Sequence, residues 1–322
     1  MKYLKFLGAF VLTVLMLYVA RKNSIGAPEK FETTDGDYQF AIVTVPKGME
    51  NADTVITVNV VGPFLYGHRV LLYLTGNPAN GLRKNPPGIP MHIRENGSSE
   101  FSVRMPVGKR NDKIWYTIGV IDSAGSRIAN FARPDGAPFV LRSIGHVPSA
   151  VLIGHILFIF ATFFFVGLAA LSSIPLLGGS TAVRPMSVWY WTAAICTFIG
   201  GYPFGFAMNW FAFGGIWEGV PFGTDATDNK TQLLFVYLLF MAFATLGSFT
   251  REKCGRDIFS PRILGMFGLI GFLFQLSIYL IPHSIQFSPA LTYSVCYGFT
   301  ALMLVIYLAG FVASRSKATA RE

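Results

Sequence analysis

The chain has 322 residues and a formal net charge of +9, yet only 13% of its residues are charged and 52% are hydrophobic. Soluble proteins carry about 25% charged residues. Thirty phenylalanines and a mean hydropathy of +0.48 therefore exclude an ordinary soluble domain and predict an integral membrane protein in contact with lipid. The basic balance does not point to nucleic acid, because many Lys and Arg stand in short loops beside apolar runs, where membrane orientation accounts for them.

Residues 6–20 form an apolar run behind Lys2 and Lys5. That pattern predicts a signal anchor over 1–22, or a cleaved signal peptide; a small-x-small cleavage site is poorly formed, which favours the anchor. The stretches "YQFAIVTVP", "DTVITVNVVG", "HRVLLYLTG", "SEFSVRMPVG" and "KIWYTIGVIDSAG" then read as short strands bounded by Pro, Gly, Asn and Asp. Five to seven such strands predict an antiparallel β-sandwich over 28–143, immunoglobulin-like in type. The Pro/Gly-rich stretch 76–90 reads as a loop too irregular for a strand. Cys196 and Cys296 lie in apolar runs and Cys254 in a basic loop, so neither a disulfide framework nor a CxxC metal site is implied.

The remainder, 147–314, predicts a transmembrane bundle of five helices, at about 149–173, 187–213, 231–250, 263–281 and 291–313. The fold class is thus a membrane protein of α+β type. Basic residues crowd one set of loops: Arg184; Arg251, Lys253, Arg256 and Arg262; and Arg315, Lys317 and Arg321 in the tail 315–322. The positive-inside rule puts both termini in the cytoplasm and the β domain outside a plasma or inner membrane. With the anchor the spans number six, and the parity agrees.

Four long stretches, 147–183, 185–217, 231–250 and 263–314, contain no Asp, Glu, Lys or Arg. Ion- and proton-coupled carriers place ionisable groups at depth because those groups form the pathway, so this absence argues against them. Histidine supplies the alternative. If the first span runs over 152–171, His155 lies ~5 Å below the outer boundary. His146 precedes it, and His283 follows Pro282 at the outer end of a later span. Two such imidazoles at similar depth suit an outer-leaflet haem b. His155 or His283 with Glu218, Asp225 and Asp228 would suit a divalent metal. The bland alternative is an imidazole donating to a backbone carbonyl, with no cofactor bound.

The stretch "GGIWEGVPFGTDATDNKTQ" (214–232) gathers those three acids between two apolar segments. Asp225, Thr227, Asp228 and Asn229 are N-cap types, and Asn229 with Gln232 resembles a capping box. Capping accounts for Asp225 or Asp228 but leaves Glu218 without a role. Paired breaks at "GYPFG" (201–205) and "GVPFG" (219–223) predict a kink near Tyr202 and a re-entrant or interfacial segment from 204 to 222. A pocket there would draw on Tyr202, Asn209, Trp210, Trp217 and Glu218. The "WYW" of 189–191 fits an interfacial aromatic belt, Gly265, Gly268 and Gly271 mark a close helix contact, and Gln275 and Ser277 suit bonds across helices.

No P-loop, GxSxG, HExxH, CxxCH or Rossmann fingerprint occurs. An exported sandwich joined to a small bundle is similar in architecture to redox and copper-handling membrane proteins, although fold does not fix function. Three expectations follow. The first is an accessory subunit of a redox or respiratory assembly, docking an extracytoplasmic or membrane protein partner through its sandwich. The second is a carrier or enzyme for a small apolar or lipidic substrate bound at 201–230. The third is a purely structural or assembly protein.

Overall fold

The computed structural model of the chain describes residues 2–24, 30–44, 47–78, 81–94, 99–251, 256–281 and 287–319. They form two compact units, one of Gly26–Val147 with Phe211–Gly214, the other of Met1–Ile25, Pro148–Trp210 and Gly215–Glu322.

The first unit is built from β1 (Lys30–Asp35), β2 (Tyr38–Val43), β3 (Lys47–Met49), β4 (Asp53–Val61), β5 (Arg69–Leu74), β6 (Gly88–Pro90), β7 (His92–Ile93), β8 (Glu100–Pro106), β9 (Lys113–Ile121), β10 (Arg127–Phe131) and β11 (Phe139–Ile144). They make two sheets, in the orders β1-β2-β4-β8-β7 and β3-β11-β9-β5-β6, with β10 paired to β9. All pairings are antiparallel except β3 with β11. Alternation drives this arrangement: Tyr38, Phe40 and Ile42 of β2 are buried while Gln39 is exposed. Both sheets feed one core, in which Phe40 stacks on Phe131 at 5.1 Å and Phe131 meets Phe139 edge-on. Each fully buried aromatic of this kind contributes about 2 kcal/mol by area.

The strand count exceeds the five to seven expected, and the 76–90 stretch is one reason. Its last three residues are β6, pairing through Leu71↔Pro90, Leu72↔Ile89 and Tyr73↔Gly88. An edge position is where proline can sit, since one flank of the strand asks for no N–H donor.

The second unit contains α1 (Lys2–Ser24), α2 (Ser149–Leu177), α3 (Arg184–Ile199), a π-helical turn (Gly200–Phe204), α4 (Gly205–Phe213), α5 (Ala226–Ala244), α6 (Leu246–Thr250), α7 (Pro261–Leu280) and α8 (Pro289–Thr319). Prolines mark several starts, where a missing N–H costs no bond. Three helices, α2, α7 and α8 through Ser316, are long and apolar enough to cross a membrane. The other expected spans miss that mark for separate reasons. The stretch Tyr3–Val19 in α1 is short, α3 stops at the π-turn, and α5 begins with a polar turn carrying Asp228 and Lys230.

Helix contacts in this unit rely on small residues and shielded hydroxyls. A Cβ on Gly268 would strike Ser173, and one on Gly271 would strike Tyr237. Tyr190 donates to Gly268 O at 2.8 Å and Tyr237 to Phe267 O at 2.6 Å, so carbonyls of α7 are bonded across the interface. The expected glycine contact face on α7 is therefore in place. Tyr190 is fully buried rather than set in an interfacial belt. Gln275 and Ser277 also differ from expectation. Ser277 bonds within its own helix to Leu273 O, and neither end of the buried Gln275 amide has a partner among the described residues.

Candidate functional site

The break predicted at Tyr202 is a π-turn within an otherwise continuous helix. Pro203 has no N–H, and its ring would collide with the carbonyl four residues earlier in an α-helix; a one-residue widening relieves the clash. The chain then stays helical through α4, so the irregular backbone expected from 204 is confined to the loop after Phe213. The turn lies close to its neighbours because it is glycine-rich. A Cβ on Gly201 would run into Thr231 of α5.

The carbonyl of Gly200, the first residue of the widened turn, accepts a hydrogen bond from His155 Nδ1 at 2.9 Å. That bond fixes the tautomer, leaving Nε2 as the lone-pair nitrogen. His146 is exposed and belongs to the β unit, while His283 lies outside the described residues. Among the described residues no group of three or more His, Cys, Asp or Glu could hold a metal ion.

The acids of the 214–232 stretch have distinct tasks. Asp225 is the N-cap of α5, its side chain accepting from Thr227 N and Asp228 N at 2.8 and 3.0 Å. Helix α5 thus starts three residues before Asn229, which removes the expected Asn229–Gln232 capping box. Asn229 instead accepts from Val220 N at 2.7 Å. Asp228 is buried and accepts from Glu218 N at 2.6 Å and from Asn209 Nδ2 at 3.1 and 3.2 Å. Burial pushes its carboxyl up to about 6; the charges of Asp225 and Glu218 add to the rise and its own hydrogen bonds oppose it. Glu218 contributes its backbone, the N–H to Asp228 and the carbonyl to Asp225 N at 2.9 Å. Lys230, 5% exposed, donates to Ile281 O at 3.2 Å and joins the head of α5 to the end of α7. Burial lowers its ammonium to about 8 against the pull of Asp225.

This polar frame holds the loop against α5, and an apolar pocket of about 570 Å³ opens beside it. Its wall consists of Tyr202, Phe206, Ile216, Trp217, Val220, Pro221, Phe222 and Gln232. Tyr202 and Trp217 stack at 5.6 Å with rings 12° apart, and Phe206 meets Trp217 edge-on at 5.7 Å. The Trp217 indole N–H is occupied by Val220 O at 3.2 Å, which orients the ring. Of the expected pocket residues, Tyr202 and Trp217 form the wall. Asn209 stands behind it on Asp228, Glu218 shapes the loop through its backbone, and Trp210 is half-exposed and does not line the pocket. Phe206, Phe222 and Gln232 were missed by sequence reasoning. The GVPFG break held the signal for Phe222, an exposed aromatic beside a proline.

Compared with protein-family models and with curated proteins, the chain matches none.

Proposed function

We propose that the chain is an integral membrane protein whose helical unit binds a small apolar or lipidic molecule in the pocket walled by Tyr202, Phe206, Trp217 and Phe222. The observation that carries this reading is the pocket itself, whose volume falls in the range of small-molecule sites and whose walls are almost wholly apolar. The bonded frame of Asp225, Asp228 and Asn229 supports it, because a site held by closed hydrogen bonds keeps its shape without a ligand. The basic loops support a topology with both termini in the cytoplasm and the β unit outside. The strand orders support an immunoglobulin-like reading of that unit. Taking β2, β4, β5, β6, β7, β8, β9 and β11 as strands A to G with C′, the orders are A-B-E-D and G-F-C-C′.

A photoactivatable fatty alcohol carrying a diazirine tests the pocket. Label mapped by mass spectrometry should concentrate within 202–222 and fall several-fold in Trp217→Ala. Uniform labelling of the apolar helices, with no change in the variant, would remove the reading.

Two observations favour a second reading, the accessory subunit of a redox assembly. His155 is held through Nδ1 with Nε2 left open, which is how imidazole ligands of metals and haems are oriented. Leu65 and the fully exposed Tyr66 project from the end of the sandwich opposite the point where β11 leads out, as a docking tip would. An absorption band of haem in the protein purified from membranes, lost in His155→Ala, would support it; a colourless wild type would end its haem version.

A further inference from the structure

The pocket's ligand class follows from what its wall leaves unpaired, and the inference rests on the pocket reading above. Gln232 lines the pocket from the second turn of α5, and its Oε1 is buried with no hydrogen-bond partner among the described residues. With Oε1 turned into the protein, Nε2 is the end of the amide left for the pocket. Tyr202 adds a hydroxyl that bonds to nothing among the described residues. The remaining polar group, the Trp217 N–H, is already taken. No charged side chain lines the pocket.

Each kind of occupant meets this wall differently. A pure hydrocarbon would cover both donors and leave them dry, which is unfavourable. A charged headgroup would find no counter-ion. A neutral oxygen acceptor on a flat apolar body satisfies the wall, the oxygen taking the hydrogen bonds and the body lying against the aromatic rings. We infer that the pocket takes a neutral, ring-bearing, lipid-soluble carbonyl compound of the aryl ketone or quinone class. Its carbonyl oxygen accepts from Gln232 Nε2 and the Tyr202 hydroxyl, and its ring packs on the Tyr202–Trp217 pair.

The test compares two probes of nearly equal shape, 2-acetylnaphthalene and 2-ethylnaphthalene. Each is dialysed to equilibrium against the full-length protein in micelles, with empty micelles as the blank. The ketone should bind about ten-fold more tightly, the difference one to two neutral hydrogen bonds make. Gln232→Met should cut that preference to about three-fold, the share left to the Tyr202 hydroxyl, while the hydrocarbon binds at least as tightly as before, which also shows that the variant is folded. Tyr202→Phe should reduce it about three-fold. Equal binding of both probes to the wild type would overturn carbonyl recognition with the apolar pocket intact. A full ten-fold preference that survives Gln232→Met would do the same. Binding of neither probe would overturn the pocket reading itself.

Discussion

The carboxylate of Asp228 accepts the backbone N–H of Glu218 at 2.6 Å, so the first turn of α5 holds a loop residue ten positions earlier in the chain. Removing that acceptor leaves a buried N–H and the Asn209 amide unpaired. Asp228→Ala should cost about 2–4 kcal/mol, and Asp228→Asn less, since its amide oxygen still accepts. Thermal melts of the purified protein measure both, and an alanine variant as stable as the wild type would show that the loop is held by other means.

Protonation of the same residue gives a pH signature. Its folded-state value of about 6 stands above the unfolded value of about 3.9. Its contribution to stability is therefore fully present below pH ~4 and lost as pH rises through 6. The wild type should melt progressively lower across that window, and Asp228→Asn should flatten the change. A wild-type profile with no slope there would mean the carboxylate is not desolvated.

Lys230 behaves in the opposite sense. Its ammonium is held at about 8, below the unfolded value of about 10.4, so its contribution is present above that unfolded value and lost as pH falls through 8. Between pH 8 and 10 the wild type should gain melting temperature. Lys230→Met, which keeps the apolar stem and removes the buried charge, should match or exceed wild-type stability at pH 7 and lose the slope. A marked loss at pH 7 would show that the bond to Ile281 O outweighs desolvation.

Gln275 is 1% exposed, with both ends of its amide unpaired among the described residues. Replacement by Met, of similar volume, should raise stability by about 1–3 kcal/mol. A fall of that size would mean the amide has a partner, such as an ordered water within the helices.

The contact of Gly219 with α5 makes a tighter demand. A Cβ there would lie 2.8 Å from Asp228 Cβ and 3.0 Å from Asn229 Oδ1. Gly219→Ala should cost about 1–3 kcal/mol, and it should weaken probe binding at the adjacent pocket. Unchanged binding and melting would show that the loop shifts freely.

Patterns of period and composition carried the two kinds of secondary structure. Alternation in "YQFAIV" marked β2, and uncharged runs marked α2, α7 and α8. Short edge strands were illegible, since the three residues of β6 are strand only because β5 lies beside them. At the site, Pro203 and the acid cluster flagged the segment, but not which acid does what. Asp225 caps because α5 begins at Ala226, which leaves Asp228 and Asn229 in the first turn to bond the loop. Gln232 carried no signal in its neighbours. Its importance lies in an amide left unpaired by the packing around it.

The sandwich borrows four residues, Phe211–Gly214, from beyond two helices, and Gly145 N donates to Ala212 O at 2.9 Å. Arg142 also lies over the Phe213 ring at 4.1 Å. During synthesis the ribosome has to reach Gly214 before this unit can close its last contacts. Its completion is therefore tied to synthesis of the helices from α2 to α4, and a fragment ending at Val147 would lack the strap that closes it.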